Sequence, residues 1–122
     1  MLSSRSSHVR FDWVRRPDGT SEFEDYLLTM DPASRSATLA KIQQIEELGL
    51  SVAMRKEWVK KLENDLYEIR IRVKGNQYRS LYFHAYDNMY LITHTFMKKT
   101  QKTPKKELSH ARAVRAAWKG RQ

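Results

Sequence analysis

An alternating run in the middle of the chain limits the possible folds more than any other feature. Between residues 66 and 73 apolar and charged side chains take turns. The apolar set is Tyr67, Ile69, Ile71 and Val73, and the charged set is Glu68, Arg70 and Arg72. A period of two is typical of a β-strand that packs one face and exposes the other. The run therefore predicts a strand with an apolar face and a charged face rich in arginine.

Two further strands are predicted directly after this run. Lys74-Gly75-Asn76 has the composition of a tight turn, with a glycine that takes positive φ easily. The residues from Gln77 to Tyr86 are rich in the aromatic side chains that favour sheets. Asp87-Asn88 then indicates a second turn, which leads into a strand from Met89 to Phe96. We predict that the three strands pair as an antiparallel meander.

Signals upstream predict a first strand and two helices. Val9 to Val14 alternates weakly and precedes the turn residues Pro17-Asp18-Gly19. Ser21 to Glu24 has the spacing of a capping box, which predicts a short amphipathic helix. Asp31-Pro32 predicts the start of a second helix, which should end at Gly49. The two helices are expected to form a hairpin. The second helix should face the sheet with its apolar residues Ala37, Ile42, Ile45 and Leu48.

The remaining segments are expected to complete a single α+β domain over residues 9–122. Residues 50–65 have mixed character, so we predict a loop with one helical turn. Thr103-Pro104 reads as an N-cap and a first-turn proline, and it predicts a last helix that ends near Gly120. Residues 1–8 are rich in serine and poor in apolar groups, so we expect disorder there. The predicted order is β, α, α, β, β, β, α.

Length and composition indicate a small intracellular protein. The 122 residues lie within the usual range of one domain and include no cysteine, which argues against disulfides and thiolate metal sites. No apolar run reaches the length of about 20 residues that a membrane helix needs. We therefore expect a soluble cytoplasmic protein that does not interact with membranes.

The positive charge is concentrated in one half of the chain. The net charge is +9, but residues 1–65 hold ten Lys and Arg against eleven Asp and Glu. Residues 66–122 hold thirteen against three, a net of +10. Such a field attracts polyanions, of which nucleic acid is the commonest. The alternative is a basic surface that serves solubility alone.

The basic residues of the predicted sheet and of the segment that follows it are the candidate binding groups. A curved sheet would bring together five of them: Arg70, Arg72, Arg79, Lys98 and Lys99. Arginine forks bind phosphate oxygens bidentately and stabilise the charge that develops in phosphodiester cleavage. The same pattern also fits a solvated face with scattered ion pairs. The lysines that continue the run, which favour phosphate contacts, are Lys102, Lys105 and Lys106.

A general base is less clearly indicated. Crowding by positive charges lowers the pKa of a lysine, so Lys98 is one candidate. His94 is a second candidate because it lies four residues before Lys98, although a core histidine fits the same position. The spacing of histidines and carboxylates does not match a metal site, and there is no glycine-rich phosphate loop. We predict a protein that uses no metal and no cofactor.

Three segments resemble the HigB branch of the RelE/ParE toxin superfamily, which includes phage-derived host-killing proteins. They are Tyr67-Glu-Ile-Arg70, Tyr78-Arg79-Ser-Leu-Tyr82 and the run from Leu91 to Pro104, and the resemblance covers roughly residues 10–119. It implies a compact RelE-like fold: an antiparallel sheet with an N-terminal helical hairpin and a C-terminal helix. It also implies a toxin that enters the ribosomal A site and cuts mRNA. A HigA-like helix-turn-helix antitoxin would neutralise it, and the toxin would meet DNA only through that repressor complex.

The resemblance also implies roles for individual residues. Arg70, Arg79, Lys98 and Lys99 would surround the scissile phosphate, while other basic residues would contact RNA: Arg72, Lys74, Lys102, Lys105 and Lys106. The chain departs from the pattern at three places. RelE has a lysine where Glu68 stands, which leaves the general base open, and the possible bases here are His94 and Glu68. RelE also has a tyrosine in its last helix, which residues 104–117 lack. Thr95 stands where the HigB branch commonly has glycine.

A non-enzymatic protein is the alternative. The ParE side of the same superfamily inhibits gyrase, and a basic sheet would also suit a protein that binds nucleic acid without cutting it. A ParE-like toxin would not need a cluster of phosphate-binding residues on its sheet.

Overall fold

The computed structural model describes residues 8–122, which contain five strands and four helices. In chain order they are β1 (Arg10–Trp13), α1 (Glu22–Thr29), α2 (Pro32–Leu48), α3 (Leu50–Arg55), β2 (Val59–Glu63), β3 (Leu66–Val73), β4 (Asn76–Tyr86), β5 (Met89–Met97) and α4 (Lys105–Gly120). The predicted α+β class is confirmed. The disorder predicted for residues 1–8 concerns positions that, apart from His8, lie outside the described residues.

The sheet has the strand order β1-β5-β4-β3-β2. The predicted meander of β3, β4 and β5 is confirmed, and both of its strand pairs are antiparallel. Lys74 and Gly75 both have positive φ, 52° and 82°, as expected for the tight turn between β3 and β4.

Two expectations about the sheet were wrong. The sheet is mixed rather than wholly antiparallel, because β1 runs parallel to β5, with Arg10 opposite Met89. No tight turn joins these two strands, so the local sequence does not fix their relative direction. Residues 59–63 were expected in a loop but form β2, antiparallel to β3. A register shift between Lys61 and Glu63 breaks the alternation that would have revealed this strand.

The first two helices begin as predicted, and the second ends at Gly49 as predicted. Ser21 Oγ accepts a hydrogen bond from the Glu24 N–H at 3.2 Å, and Asp31 Oδ2 accepts one from the Ser34 N–H at 3.3 Å. Gly49, with φ 90°, ends α2 and leads directly into α3. Among the helices of residues 8–122, none is both long and apolar enough to span a bilayer.

Two details of the predicted helices were wrong. Leu48 was expected to face the sheet but is 48% exposed, because the buried face of α2 ends at Ile45 and Ala53 of α3 takes the next core position. Thr103 was expected to cap α4, but the helix begins at Lys105 with Pro104 as its N-cap residue. The Thr103 hydroxyl instead bonds to a side chain of β3, which is described below.

Helices cover both faces of the sheet. On one face α1 and α2 enclose the largest core cluster, whose fully buried members include Phe23, Ile45, Ile69, Tyr82 and Ile92. On the other face Ala111 of α4 packs on Leu66, Leu81 and Phe96, and Trp118 packs on Phe83 at 5.6 Å between ring centroids. The expectation of one packed face and one charged face therefore holds only for the end of β3 that α4 does not cover.

Two positions of α2 test this packing. Ile45 is fully buried and Leu48 is about half exposed. We expect Ile45→Ala to lower the free energy of unfolding by about 2–5 kcal/mol, because it removes buried methyl groups and leaves a cavity. Leu48→Ala, the matched control on the same helix, should lower it by about 0.5 kcal/mol or less. Urea denaturation followed by circular dichroism measures both, and equal losses would contradict the assigned core.

Candidate active site

A cleft lies where β3 and β5 end, β4 begins and the segment after β5 starts. It has a volume of about 560 Å³, and we call it the cationic cleft; its lining residues are Arg70, Arg72, Gln77, Arg79, Lys98, Lys99, Thr100 and Gln101. Arg70 and Arg79 are directly opposite each other on β3 and β4. The Lys98 N–H donates to the Gln77 carbonyl at 2.7 Å, which fixes the start of the last segment beside β4. The structure therefore brings together the five residues that the sequence grouped.

Glu68 holds the two arginines in place. Its side chain is 1% exposed, and its Oε2 accepts a hydrogen bond from Arg70 Nε at 3.2 Å. Arg79 Nε lies 3.5 Å from the same oxygen. Oε1 accepts a hydrogen bond from the Thr103 hydroxyl at 2.7 Å. Both carboxylate oxygens are therefore engaged, which favours a positioning role over that of a general base.

Arg79 is buried at the floor of the cationic cleft. It is 6% exposed, and its guanidinium donates to the Tyr78 carbonyl at 3.1 Å and to Gln77 Oε1 at 2.9 Å. Within residues 8–122 its Nε has no hydrogen-bond acceptor, since the geometry toward Glu68 allows only an ion pair. Burial, followed by the charges of Arg70 and Arg72, lowers the pKa of Arg79. A buried guanidinium with a free donor is suited to an anionic ligand.

Lys98 is half-buried beside these arginines. Burial is the largest cause of its lowered pKa, and the positive charge of Arg79 is the next. Arg70 and Lys60 lower the pKa further, while Glu68 opposes them. The sequence-based expectation of a lowered lysine pKa is thus supported, with burial as an additional cause. A lysine of this kind is more easily deprotonated than an ordinary one.

His94, the other predicted base, lies under α4 and does not line the cationic cleft. Its Nε2 is 2.9 Å from Glu107 Oε1, and its Nδ1 is 2.9 Å from the Thr93 hydroxyl. Burial lowers its pKa, although Glu107 opposes that effect. Both ring nitrogens have partners within the protein, so this histidine is built into the packing between β5 and α4.

The remaining predicted RNA contacts are distributed around the cleft. Lys102 lines a neighbouring depression together with Glu68 and Lys98. Lys74 lies 3.7 Å from Asp31 and is exposed at the β3–β4 turn. Lys105 and Lys106 are exposed at the start of α4 and line neither the cationic cleft nor the neighbouring depression.

Sequence reasoning missed two residues of the site. Gln77, which orients Arg79, lies two positions before it on the same strand face, so strand periodicity could have identified it. Thr103, which bonds Glu68 across 35 positions, has no local signal. Within the described part of the chain, no three His, Asp or Glu side chains are grouped closely enough to hold a metal ion.

The fold and cleft define a small basic α+β protein with a site suited to an anionic ligand. The chain belongs to the family described as Phage derived protein Gp49-like (DUF891), which matches residues 25–115. That family is toxin-like and related to RelE/HigB-type toxins, in agreement with the sequence resemblance. No curated protein sequence matches the chain.

The lowered pKa of Lys98 gives a test of the cleft electrostatics. Arg79→Gln removes a positive charge and leaves the negative charge of Glu68, so the pKa of Lys98 should rise toward its ordinary value. Arg112→Gln is the control, because Arg112 of α4 pairs with Glu63 of β2 and does not line the cationic cleft. Titration of the lysine side-chain signals by NMR measures both, and an unchanged pKa in Arg79→Gln would contradict this arrangement.

Proposed function

We propose that the protein is the toxin of a type II toxin–antitoxin system, and that it is a metal-independent endoribonuclease that cuts mRNA on the ribosome. One observation carries the proposal: Arg70, Arg79 and Lys98 converge on a single cleft around the buried Glu68. Three cationic side chains in this arrangement match the charge that a phosphodiester carries when it is cleaved. Membership of a toxin-like family supports the same conclusion.

The chemistry is an attack of the ribose 2′-oxygen on the adjacent phosphorus. A bond forms between the 2′-oxygen and phosphorus, and the bond from phosphorus to the 5′-oxygen breaks. The 2′-hydroxyl gives up its proton to a base, and the leaving 5′-oxygen takes up a proton from water. The products are a 2′,3′-cyclic phosphate and a 5′-hydroxyl. Arg70 and Arg79 hold the non-bridging oxygens, where negative charge builds up.

Lys98 acts at the same phosphate, as the base or as a stabiliser of charge. Its lowered pKa increases the neutral fraction that can accept the 2′-hydroxyl proton. Lys99, Arg72, Lys74 and Lys102 contact RNA or the ribosome, and Lys105 and Lys106 extend this basic surface. Glu68 positions the two arginines, because both of its oxygens already accept hydrogen bonds or pair with guanidinium groups.

The partners follow from the charge and from the resemblance. A cytoplasmic toxin with a basic half needs a neutraliser that presents acids or covers the site, and a HigA-like helix-turn-helix antitoxin meets this need. Electrostatic attraction speeds such an association. The gyrase-inhibitor alternative lacks a use for a buried Arg79 beside a second arginine. The lowered pKa of Lys98 favours cutting over binding alone, because simple phosphate binding does not need a lysine that loses its proton easily.

Loss of Arg79 tests the proposed function. Expression without an antitoxin should stop growth, and Arg79→Ala should relieve this, with cleavage about a hundredfold slower or more, because a donor to the transition-state charge is lost. Mapping of mRNA 5′ ends after brief induction measures the cutting directly. A folded Arg79→Ala protein that remains fully toxic would overturn the proposed site.

A conservative variant and a control variant complete this test. Arg79→Lys retains the charge but not the planar fork, so it should fold and still cut more slowly than the unchanged protein. Arg16→Ala is the control, since Arg16 pairs with Asp25 outside the cationic cleft, and its toxicity should not change. Growth arrest without new mRNA 5′ ends would favour the gyrase-inhibitor alternative.

Removal of metal ions tests the proposed chemistry. The guanidinium groups of the cationic cleft supply the positive charge that a metal ion would otherwise supply. Cleavage should therefore persist in EDTA on ribosomes that stay intact without free magnesium. If a trace transition metal restored lost activity at constant ribosome integrity, the proposed mechanism would be wrong.

A further inference from the structure

A second cleft adjoins the cationic cleft. It has a volume of about 620 Å³ and shares four lining residues with it, namely Arg70, Arg72, Gln77 and Arg79. We call it the tryptophan cleft, because its other wall contains Trp58 with Lys41 and Lys56. The pairing of β2 with β3 stops at Ile69, so the end of β3 extends past β2. The tryptophan cleft lies beside this end of β3. Its size is within the range of about 300–1,000 Å³ that small-ligand sites occupy.

Backbone contacts fix Trp58 next to Arg70. The Trp58 N–H donates to the Ala53 carbonyl at 2.9 Å, and the Trp58 carbonyl accepts from the Arg70 N–H at 2.7 Å. Glu57, just before it, has a φ of 61°, a conformation that a residue with a side chain adopts at a cost. The chain therefore holds the backbone of Trp58 at one defined position beside the arginine pair.

The face of the Trp58 ring opens toward charged groups rather than toward other rings. Lys41 Nζ lies 3.8 Å from the ring centroid and Lys56 Nζ lies 5.3 Å from it. By contrast, Trp13 packs on Phe23 and Trp118 packs on Phe83. Two ammonium groups on flexible stems can move aside from an aromatic face, whereas packed rings cannot. Trp58 is thus available as a platform.

We propose that Trp58 stacks on a base of the bound RNA, next to the phosphate that Arg70 and Arg79 hold. This subsite rests on the proposed function and adds a contact to the substrate base. Indole faces stack on bases of any sequence, and cations that flank a platform pair with the neighbouring phosphates. Lys41 and Lys56 pair with the neighbouring phosphates once the base displaces their ammonium groups from the ring.

The test combines a protein change with a change in the RNA. We expect Trp58→Ala to slow single-turnover cleavage on programmed ribosomes about tenfold to a hundredfold, as is typical when a stacking aromatic is lost. Trp58→Phe keeps a ring and should restore most of the rate. Tyr86→Ala is the control, since Tyr86 is 55% exposed at the far end of β4 from Arg79.

An abasic nucleotide, placed at each position near the cut in turn, separates stacking from a structural effect. At one position it should slow the unchanged protein by the same factor as Trp58→Ala, and it should slow Trp58→Ala no further. If Trp58 had only a structural role, the loss of rate from Trp58→Ala and the loss from the abasic nucleotide would be independent at every position. That result, or an undiminished rate for Trp58→Ala, would overturn the subsite and leave the proposed function standing.

Failure of the proposed function gives a different result from failure of the stacking subsite. If the unchanged protein cuts nothing, the proposed function is wrong, and the subsite is then tested with a five-nucleotide RNA and tryptophan fluorescence. Quenching in the unchanged protein that is absent from Trp58→Phe would support the base platform. Equal fluorescence changes in the two proteins, or none in either, would overturn it.

Discussion

The buried carboxylate of Glu68 is the contact on which the candidate site depends. Arg70 and Arg79 are directly opposite each other on neighbouring strands, where two like charges repel. Glu68 lies between them with almost no exposure to water, so the attraction at this point is screened little. Its other oxygen binds Thr103 and thereby ties the segment after β5 to the sheet. One side chain therefore orients the arginines and anchors the segment after β5, while the bond from the Lys98 N–H to the Gln77 carbonyl places Lys98 beside them.

This arrangement leaves the cleft with an excess of positive charge. One carboxylate offsets two guanidinium groups, and Lys98 adds a third cation whose pKa is lowered mainly by burial. The buried Arg79 Nε has no acceptor within residues 8–122, so its desolvation is only partly compensated. A phosphate group bound here would supply the missing acceptor and the missing negative charge.

Local patterns in the sequence predicted most of the fold and the centre of the site. Alternation identified β3, and the caps at Ser21 and Asp31 identified the first two helices, because these signals depend only on neighbouring residues. The parallel pairing of β1 and the bulged β2 were missed, since long-range packing decides them. For the same reason Thr103 was assigned to the wrong role: its hydroxyl bonds a residue 35 positions away. The arginines could be grouped from strand register, whereas the burial of His94 under α4 could not.

In the proposed function the protein cleaves a phosphodiester through the neighbouring 2′-hydroxyl, with its own cations in place of a metal ion. The most direct measurement uses an mRNA with one 2′-deoxy nucleotide immediately before the cut, on programmed ribosomes, with analysis of the product ends. The proposed chemistry predicts that this substitution stops cleavage at that position, and that the all-ribose mRNA yields a 2′,3′-cyclic phosphate and a 5′-hydroxyl. Cleavage of the 2′-deoxy mRNA at the same bond, or a 5′-phosphate on the product, would contradict it.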